Sequence, residues 1–288
     1  MQLAWVARVG TVLWSAILLT LLLSAADSAR VLAIEPEYVL AVAVDQKHNV
    51  YLADRELPGV WRLADGKLSL LFQGSKKFRT PLNAIRCLAL DGEGRLLTGD
   101  SATRDVYRFG DDNQPQPLTK GGIGIPMAIA VNKAGDLLVC DLEVHRIWKV
   151  SAAGGQPALF AEVAAPRAAA IDKDDRLWIV SHGKDQLLRA DASGKLEVIV
   201  SGRPFEFPSA VAIAEDGTAY VCDTYAKAVW KVMPGQAPEK FYSGDPLVSP
   251  VGMTWLGADL VVADPRAKAL VRIDPDGKAA RTEYKVEP

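Results

Sequence analysis

The chain of 288 residues carries 33 Lys and Arg against 35 Asp and Glu, a formal net charge of −2. That balance argues against a dedicated nucleic-acid binder, whose phosphate contacts normally leave a basic excess. Three histidines in the whole chain leave little room for a metal centre built on imidazole.

The N-terminus reads as a leader. Arg8 supplies a basic start, Val12 to Leu23 is nearly continuous aliphatic, and Ser24 to Ala29 offers the small side chains that a signal peptidase accepts. Cleavage after Ala26 is expected, leaving residues 27–288 as the mature protein. An uncleaved membrane anchor is the competing reading, although the apolar run is short beside the roughly 20 residues a spanning helix needs. No Cys follows the run, so a lipoprotein anchor is unsupported. An exported, periplasmic or extracellular protein is expected, touching membrane only through a retained leader.

Beyond the leader one motif recurs six times: Tyr51-Leu-Ala-Asp54, Leu97-Thr-Gly-Asp100, Leu138-Val-Cys-Asp141, Trp178-Ile-Val-Ser181, Tyr220-Val-Cys-Asp223 and Val261-Val-Ala-Asp264. The closing residues are 46, 41, 40, 42 and 41 positions apart. A period in that range is the signature of a β-propeller with one four-stranded blade per repeat. The expected fold is therefore all-β, a six-bladed propeller with four antiparallel strands per blade. Repeat boundaries fall near 36–79, 80–124, 125–164, 165–206, 207–248 and 249–288.

Each repeat reads as a meander. In the third, Pro126 to Asn132 opens, Lys133-Ala-Gly135 turns, Asp136 to Asp141 returns, Arg146 to Val150 follows a loop, and Pro157 to Ala161 finishes. Short β-branched and aromatic runs punctuated by Gly, Asp and Asn are what successive hairpins require. Trp61, Tyr107, Trp148, Leu188, Trp230 and Val271 share one third-strand position, where large side chains fill the widening wedge between blades. The last blade is expected to end on its own fourth strand, Arg281 to Val286, with Val31 to Ile34 free to clasp an outer edge. Cys140 and Cys222 occupy the same position in repeats three and five, so a blade should stand between them, beyond the ~7 Å Cα reach of a disulfide. With Cys87 they read as small buried hydrophobes.

Ile125-Pro-Met-Ala-Ile-Ala-Val-Asn-Lys-Ala-Gly-Asp-Leu-Leu-Val-Cys-Asp-Leu-Glu-Val-His-Arg-Ile-Trp-Lys-Val150 resembles an NHL repeat, which pairs an opening Pro and a Gly turn with a closing Asp and a following Arg-Ile. The similarity runs from Pro36 to Tyr284. It implies the propeller fold but not one function, since such propellers serve as protein-binding, RNA-binding and sensor modules as well as enzymes. The closing Asp, repeated in five blades, reads as scaffold that accepts backbone hydrogen bonds, the alternative being a ring of five carboxylates that gathers a cation.

The loops after each fourth strand and those between second and third strands should share one face, the expected working side. There the first residues of the opening strands, Leu40, Arg86, Met127, Arg167, Ser209 and Val251, should line the channel mouth. Arg86 and Arg167 suit a carboxylate or phosphate, because a guanidinium offers a planar fork of donors. The alternative is that each pairs with a carboxylate across the channel. His182, beside the Ser181 that breaks the Asp pattern, and Ser209 complete the candidate ligand-binding set. His145 and His48 read as loop residues.

More distantly the repeats are similar to SMP-30/gluconolactonase propellers. That resemblance implies a divalent cation held by Glu, Asn and Asp at comparable positions, yet none of the six channel-mouth residues is a carboxylate, and Glu37 and Asn83 lie off register. The sequence shows no serine elbow, His-Glu-x-x-His helix or phosphate-cradling glycine loop. The leading reading is an exported, monomeric module that binds a protein or a small anionic ligand, without catalytic residues or cofactor. The alternative is a lactone hydrolase or lyase of the propeller kind, with a divalent cation under that reading alone. A purely structural extracellular module stays open.

Overall fold

The computed structural model describes residues 35–282 and 285–286. Short segments, most of five or six residues and each ended by a turn, fold into six antiparallel four-stranded meanders in chain order. Blade one comprises β1 (Val39–Val44), β2 (Val50–Asp54), β3 (Gly59–Ala64) and β4 (Lys67–Gln73); blade two β5 (Ile85–Leu90), β6 (Leu96–Asp100), β7 (Asp105–Phe109) and β8 (Pro115–Pro117). Blade three comprises β9 (Pro126–Val131), β10 (Leu137–Asp141), β11 (Arg146–Val150) and β12 (Ala158–Glu162); blade four β13 (Pro166–Ile171), β14 (Leu177–Ser181), β15 (Leu187–Ala190) and β16 (Leu196–Val200). Blade five comprises β17 (Pro208–Ile213), β18 (Ala219–Asp223), β19 (Ala228–Val232) and β20 (Glu239–Ser243); blade six β21 (Gly252–Leu256), β22 (Asp259–Asp264), β23 (Ala269–Ile273) and β24 (Ala279–Arg281). Each opening strand touches the opening strand of the next blade, and β1 meets β21, so the ring closes around a channel.

The apolar core is six clusters rather than one. Each is shared by two neighbouring blades, including blades six and one, where Trp61, Leu52 and Leu68 meet Val261, Ala263 and Leu270. Trp61, Tyr107, Trp148, Leu188, Trp230 and Val271 pair with Leu52, Thr98, Val139, Ile179, Val221 and Val262, the middle residue of each second strand. They therefore do occupy one equivalent position. Four of them are buried, whereas Trp148 and Trp230 are half-buried and donate their indole N–H groups to Asp141 and Asp223.

Two sets of carboxylates hold the backbone. Asp45, Asp91 and Asp172 follow an opening strand, and Oδ1 of each accepts the N–H groups two and four residues on, at 2.8–3.0 Å, which folds the first hairpin. The closing aspartates are clamps. Asp141 accepts Gly124 N at 2.8 Å and Ile125 N at 2.9 Å from the segment entering its blade, then Glu143 N at 3.1 Å and Trp148 Nε1 at 2.9 Å beyond it. Asp54, Asp100, Asp223 and Asp264 do likewise for their own blades. In blade four Ser181 replaces the carboxylate, donating to Ala164 O at 2.6 Å and accepting Gly183 N at 2.8 Å. Nearby Gln186, fully buried, ties down Phe205 through both its amide atoms.

Cys87, Cys140 and Cys222 are free and buried. Burial pushes the Cys87 thiol up to about 12, and the other two rise for the same reason.

The C-terminus departs from expectation. The fourth strand of blade six is β24, shorter and earlier than Arg281 to Val286, and Lys285–Val286 forms a separate strand, β25, that pairs in parallel with Lys67 and Leu68 of β4. The tail thus covers the start of the outer edge strand of blade one, which shortens the exposed edge. The proposed clasp by Val31 to Ile34 and the cleavage after Ala26 lie outside the described residues. Among the described residues, no helix is long and apolar enough to cross a membrane.

Where blade six meets blade one, Gly252 lets the backbones approach closely. A Cβ there would stand 2.9 Å from Leu40 O and 3.2 Å from Ala41 Cα. Since neither neighbour is a movable side-chain tip, Gly252→Ala is expected to destabilise the protein by about 1–3 kcal/mol, the usual range for overpacking. A urea titration that leaves the midpoint unchanged would show that the ring closes more loosely than this contact implies.

Candidate functional site

One irregularity, repeated in five blades, builds the channel mouth. In blade two Ile85 pairs with Asp100 and Cys87 with Gly99, so Arg86 drops out of the ladder. Leu40, Met127, Arg167 and Ser209 are skipped in the same way in blades one, three, four and five. A bulge of this sort leaves one residue unpaired and re-aims its side chain, here toward the axis. All six residues expected from the alignment, Leu40, Arg86, Met127, Arg167, Ser209 and Val251, line a cavity of about 380 Å³ in the channel.

The cavity's wall is completed by loops. Arg55, Thr224, Tyr225 and Arg266 come from the turns after closing aspartates, and Tyr38, Phe207 and Ser249 from the segments entering blades one, five and six. Both loop sets therefore share the same end of the channel, as a meander requires. Four arginines and no carboxylate are found among the lining residues.

The two inner arginines lack ion-pair partners among the described residues. Arg86 Nε donates to Ser101 Oγ at 2.9 Å, a neutral acceptor, which leaves its terminal amino groups for the cavity. Arg167 makes no hydrogen bond among the described residues; its Nε is buried without an acceptor there, and its guanidinium lies over the Phe207 ring, 5.6 Å from the centroid. The alternative reading, in which each arginine pairs with a carboxylate across the channel, finds no such pair among the described residues. Burial lowers the affinity of Arg86 for its proton, as does repulsion from Arg55 and, more weakly, Arg167, partly offset by Asp100; Arg167 is lowered by burial. Both stay charged, because guanidinium starts so high.

At the rim, Arg55 lies over the Tyr38 ring, 6.0 Å from its centroid, and 3.9 Å from Glu56, while Arg266 is exposed. Phe207 stacks on Tyr225 with centroids 4.6 Å apart, and Tyr225 remains 65% exposed. Thr224 Oγ1 donates to Pro250 O at 2.7 Å; Ser209 Oγ lies 3.4 Å from both Cys222 O and Pro250 O.

His182 is placed differently from the expectation. It is not among the residues lining the cavity: its ring packs edge-on against Phe207, 4.4 Å between centroids, and Nε2 meets Pro208 O at 2.7 Å. Burial lowers its pKa, the Pro208 carbonyl opposes this, and Arg167 and Arg203 add to the lowering, so the neutral ring donates through Nε2–H. It supports Phe207 from behind. His48 and His145 are exposed turn residues.

Sequence reasoning missed Arg55, Arg266, Tyr38, Phe207 and Tyr225. A usable signal existed. Aligning the one or two positions after each closing residue puts Arg55, Arg266 and Tyr225 in the loop set already assigned to the working face.

The lining residues do not suit a hard divalent cation, which takes carboxylate and other oxygen ligands. Their oxygens are hydroxyls of Ser209, Thr224, Ser249 and two tyrosines, set among four cations. Among the described residues, no group of three or more His, Cys, Asp or Glu is placed to hold a metal. Asn83 donates to Lys77 O, and neither it nor Glu37 reaches the cavity wall.

No protein-family model and no curated protein matches the chain. The architecture, by contrast, is widely shared among solved structures. Virginiamycin B lyase from Staphylococcus aureus superposes with a TM-score of 0.67 at 15% identity, covering 87% of this chain and 86% of that one. A gluconolactonase from Xanthomonas campestris gives 0.67 at 16%, covering 80% and 84%, and a nidogen/laminin complex gives 0.69 at 16%, covering 82% and 93%. The likeness is one of fold. The fold is therefore shared with lyases, a gluconolactonase and a nidogen/laminin complex, while the NHL resemblance acquires no matching relative.

Proposed function

We propose that the channel mouth binds a small anionic molecule, and that this exported, monomeric propeller uses the site as a lyase or lactone hydrolase would rather than as a protein-docking face. The observation that carries the first half is the pair of inner arginines, half-buried, without counter-ions and turned inward by bulges. A buried cation without a partner is unfavourable, and a bound carboxylate or phosphate supplies the missing acceptors. The second half is supported by the activities of two of the three fold neighbours, a lyase and a gluconolactonase, and by a concave site of small-molecule size. The pure binding module is supported by the nidogen/laminin likeness alone.

The test is two-staged. Calorimetry with acetate, benzoate, phosphate and citrate should detect saturable binding that weakens at least about 100-fold in the Arg86→Ala, Arg167→Ala double variant, in line with the loss of two charge-assisted contacts. Unchanged binding would remove the arginines from the site. Turnover of anionic lactones and esters, with and without EDTA, then separates enzyme from binder, and no turnover of bound ligands leaves the binding module standing.

A further inference from the structure

The composition of the wall says more about the ligand than its charge. Two aromatic rings at the mouth, Phe207 and Tyr38, each carry an arginine over their plane, Arg167 and Arg55. Phe207 is held by His182 in a T-shaped contact and by Tyr225 stacked on it. Tyr225 therefore offers an unused aromatic face at the rim of the cavity and is largely exposed. Exposed tyrosines occur singly on many surfaces without meaning. This one is different because it is stacked, held and adjacent to unpaired cations.

At both places a guanidinium lies over an aromatic ring. An aliphatic anion would use only the guanidinium, whereas a ring bearing an oxyanion uses both, stacking on tyrosine or on the guanidinium plane while its charged group meets Arg86 and Arg167. The same ring of the channel also suits such a ligand: Leu40, Met127 and Val251 alternate with the arginines around it, and Met253 adds further apolar surface. Resting on the reading of the channel mouth as an anion site, we infer that the ligand class is an aromatic acid, a flat ring carrying a carboxylate or a phosphate monoester.

Benzoate and cyclohexanecarboxylate, which match in charge and nearly in size, separate this inference from its parent reading. The expected result is that benzoate and phenyl phosphate bind the purified protein at least about tenfold more tightly than cyclohexanecarboxylate. Bound benzoate ring protons should move upfield in the NMR spectrum, as stacking demands. Tyr225→Leu keeps bulk at an exposed position while removing the ring, and it should collapse the benzoate preference and most of the upfield shift. Equal affinity for the two carboxylates, with dependence on Arg167 retained, would overturn the aromatic inference and leave the anion site intact. No binding of any of the three would overturn both. A benzoate preference that survives in Tyr225→Leu without an upfield shift would overturn stacking on Tyr225 as its cause, since the ring would then be recognised by shape among the apolar side chains of the channel.

Discussion

Asp141→Ala is expected to be the most damaging single substitution in the protein, lowering stability by about 3–5 kcal/mol. The carboxylate is 1% exposed and accepts four hydrogen bonds. Leaving a buried donor unsatisfied costs about 1–3 kcal/mol, and water entering the space left by the side chain would recover only part of the sum. Asp141→Asn should be nearly as harmful. All four partners are donors, two on each oxygen, so an amide would turn its NH₂ toward two of them. Ion charge is thus secondary to acceptor count. Burial alone would raise the pKa of Asp141, but the hydrogen bonds from Ile125 N, Gly124 N, Trp148 Nε1 and Glu143 N outweigh it and hold the carboxyl below 3.8. A depressed folded value gives stability that is present above about pH 4 and is lost as pH falls through 3.8 and on through the folded value. Asp45, Asp91 and Asp172 are shifted in the same direction, so wild-type protein should lose stability steeply in that window. Urea midpoints from pH 7 to pH 3 check both statements, and an Asp141→Asn protein as stable as wild type would refute the clamp.

The propeller was legible because its cause is periodic. The closing aspartates recur for a reason that is local, since each must bind the segment entering its own blade, and a local requirement leaves a mark at fixed spacing. The aromatic third-strand ring was legible likewise. Arg86 and Arg167 were found because channel position follows from strand start, although the bulge that turns them inward leaves no residue-type signature. His182 shows the opposite case: the break at Ser181 drew attention to its neighbour, but which way a loop side chain turns depends on Phe207 and Pro208, which lie about 26 residues away in sequence. Arg55, Arg266 and Tyr225 sit in loops whose direction depends on tertiary packing. The tail strand β25 was missed because its partner, β4, lies at the far end of the chain and two residues carry no pattern.

Replacing Arg167 by Met should stabilise the ligand-free protein while weakening anion binding by at least about tenfold. Function and stability then pull in opposite directions at one side chain. In the wild type the Arg167 guanidinium is half-buried, has a buried Nε without an acceptor and feels Arg86 across the channel, against which it gains one ring contact with Phe207. An unsatisfied buried polar group costs about 1–3 kcal/mol, and solvent at the open mouth screens part of the repulsion, so the gain from Arg167→Met should be about 1 kcal/mol. Methionine fits the space with a flexible apolar chain and keeps contact with the Phe207 ring. A site held under such tension is what ligand binding would relieve: the same anion that gains affinity from Arg167 removes the strain its presence imposes. Chemical denaturation with and without saturating benzoate reads both effects in one experiment. The wild type should rise with ligand toward or above the variant, and the variant should start higher and respond less. A variant that starts lower would mean that Arg167 is already satisfied by the protein, and the case for an anion at the channel mouth would then rest on Arg86 alone.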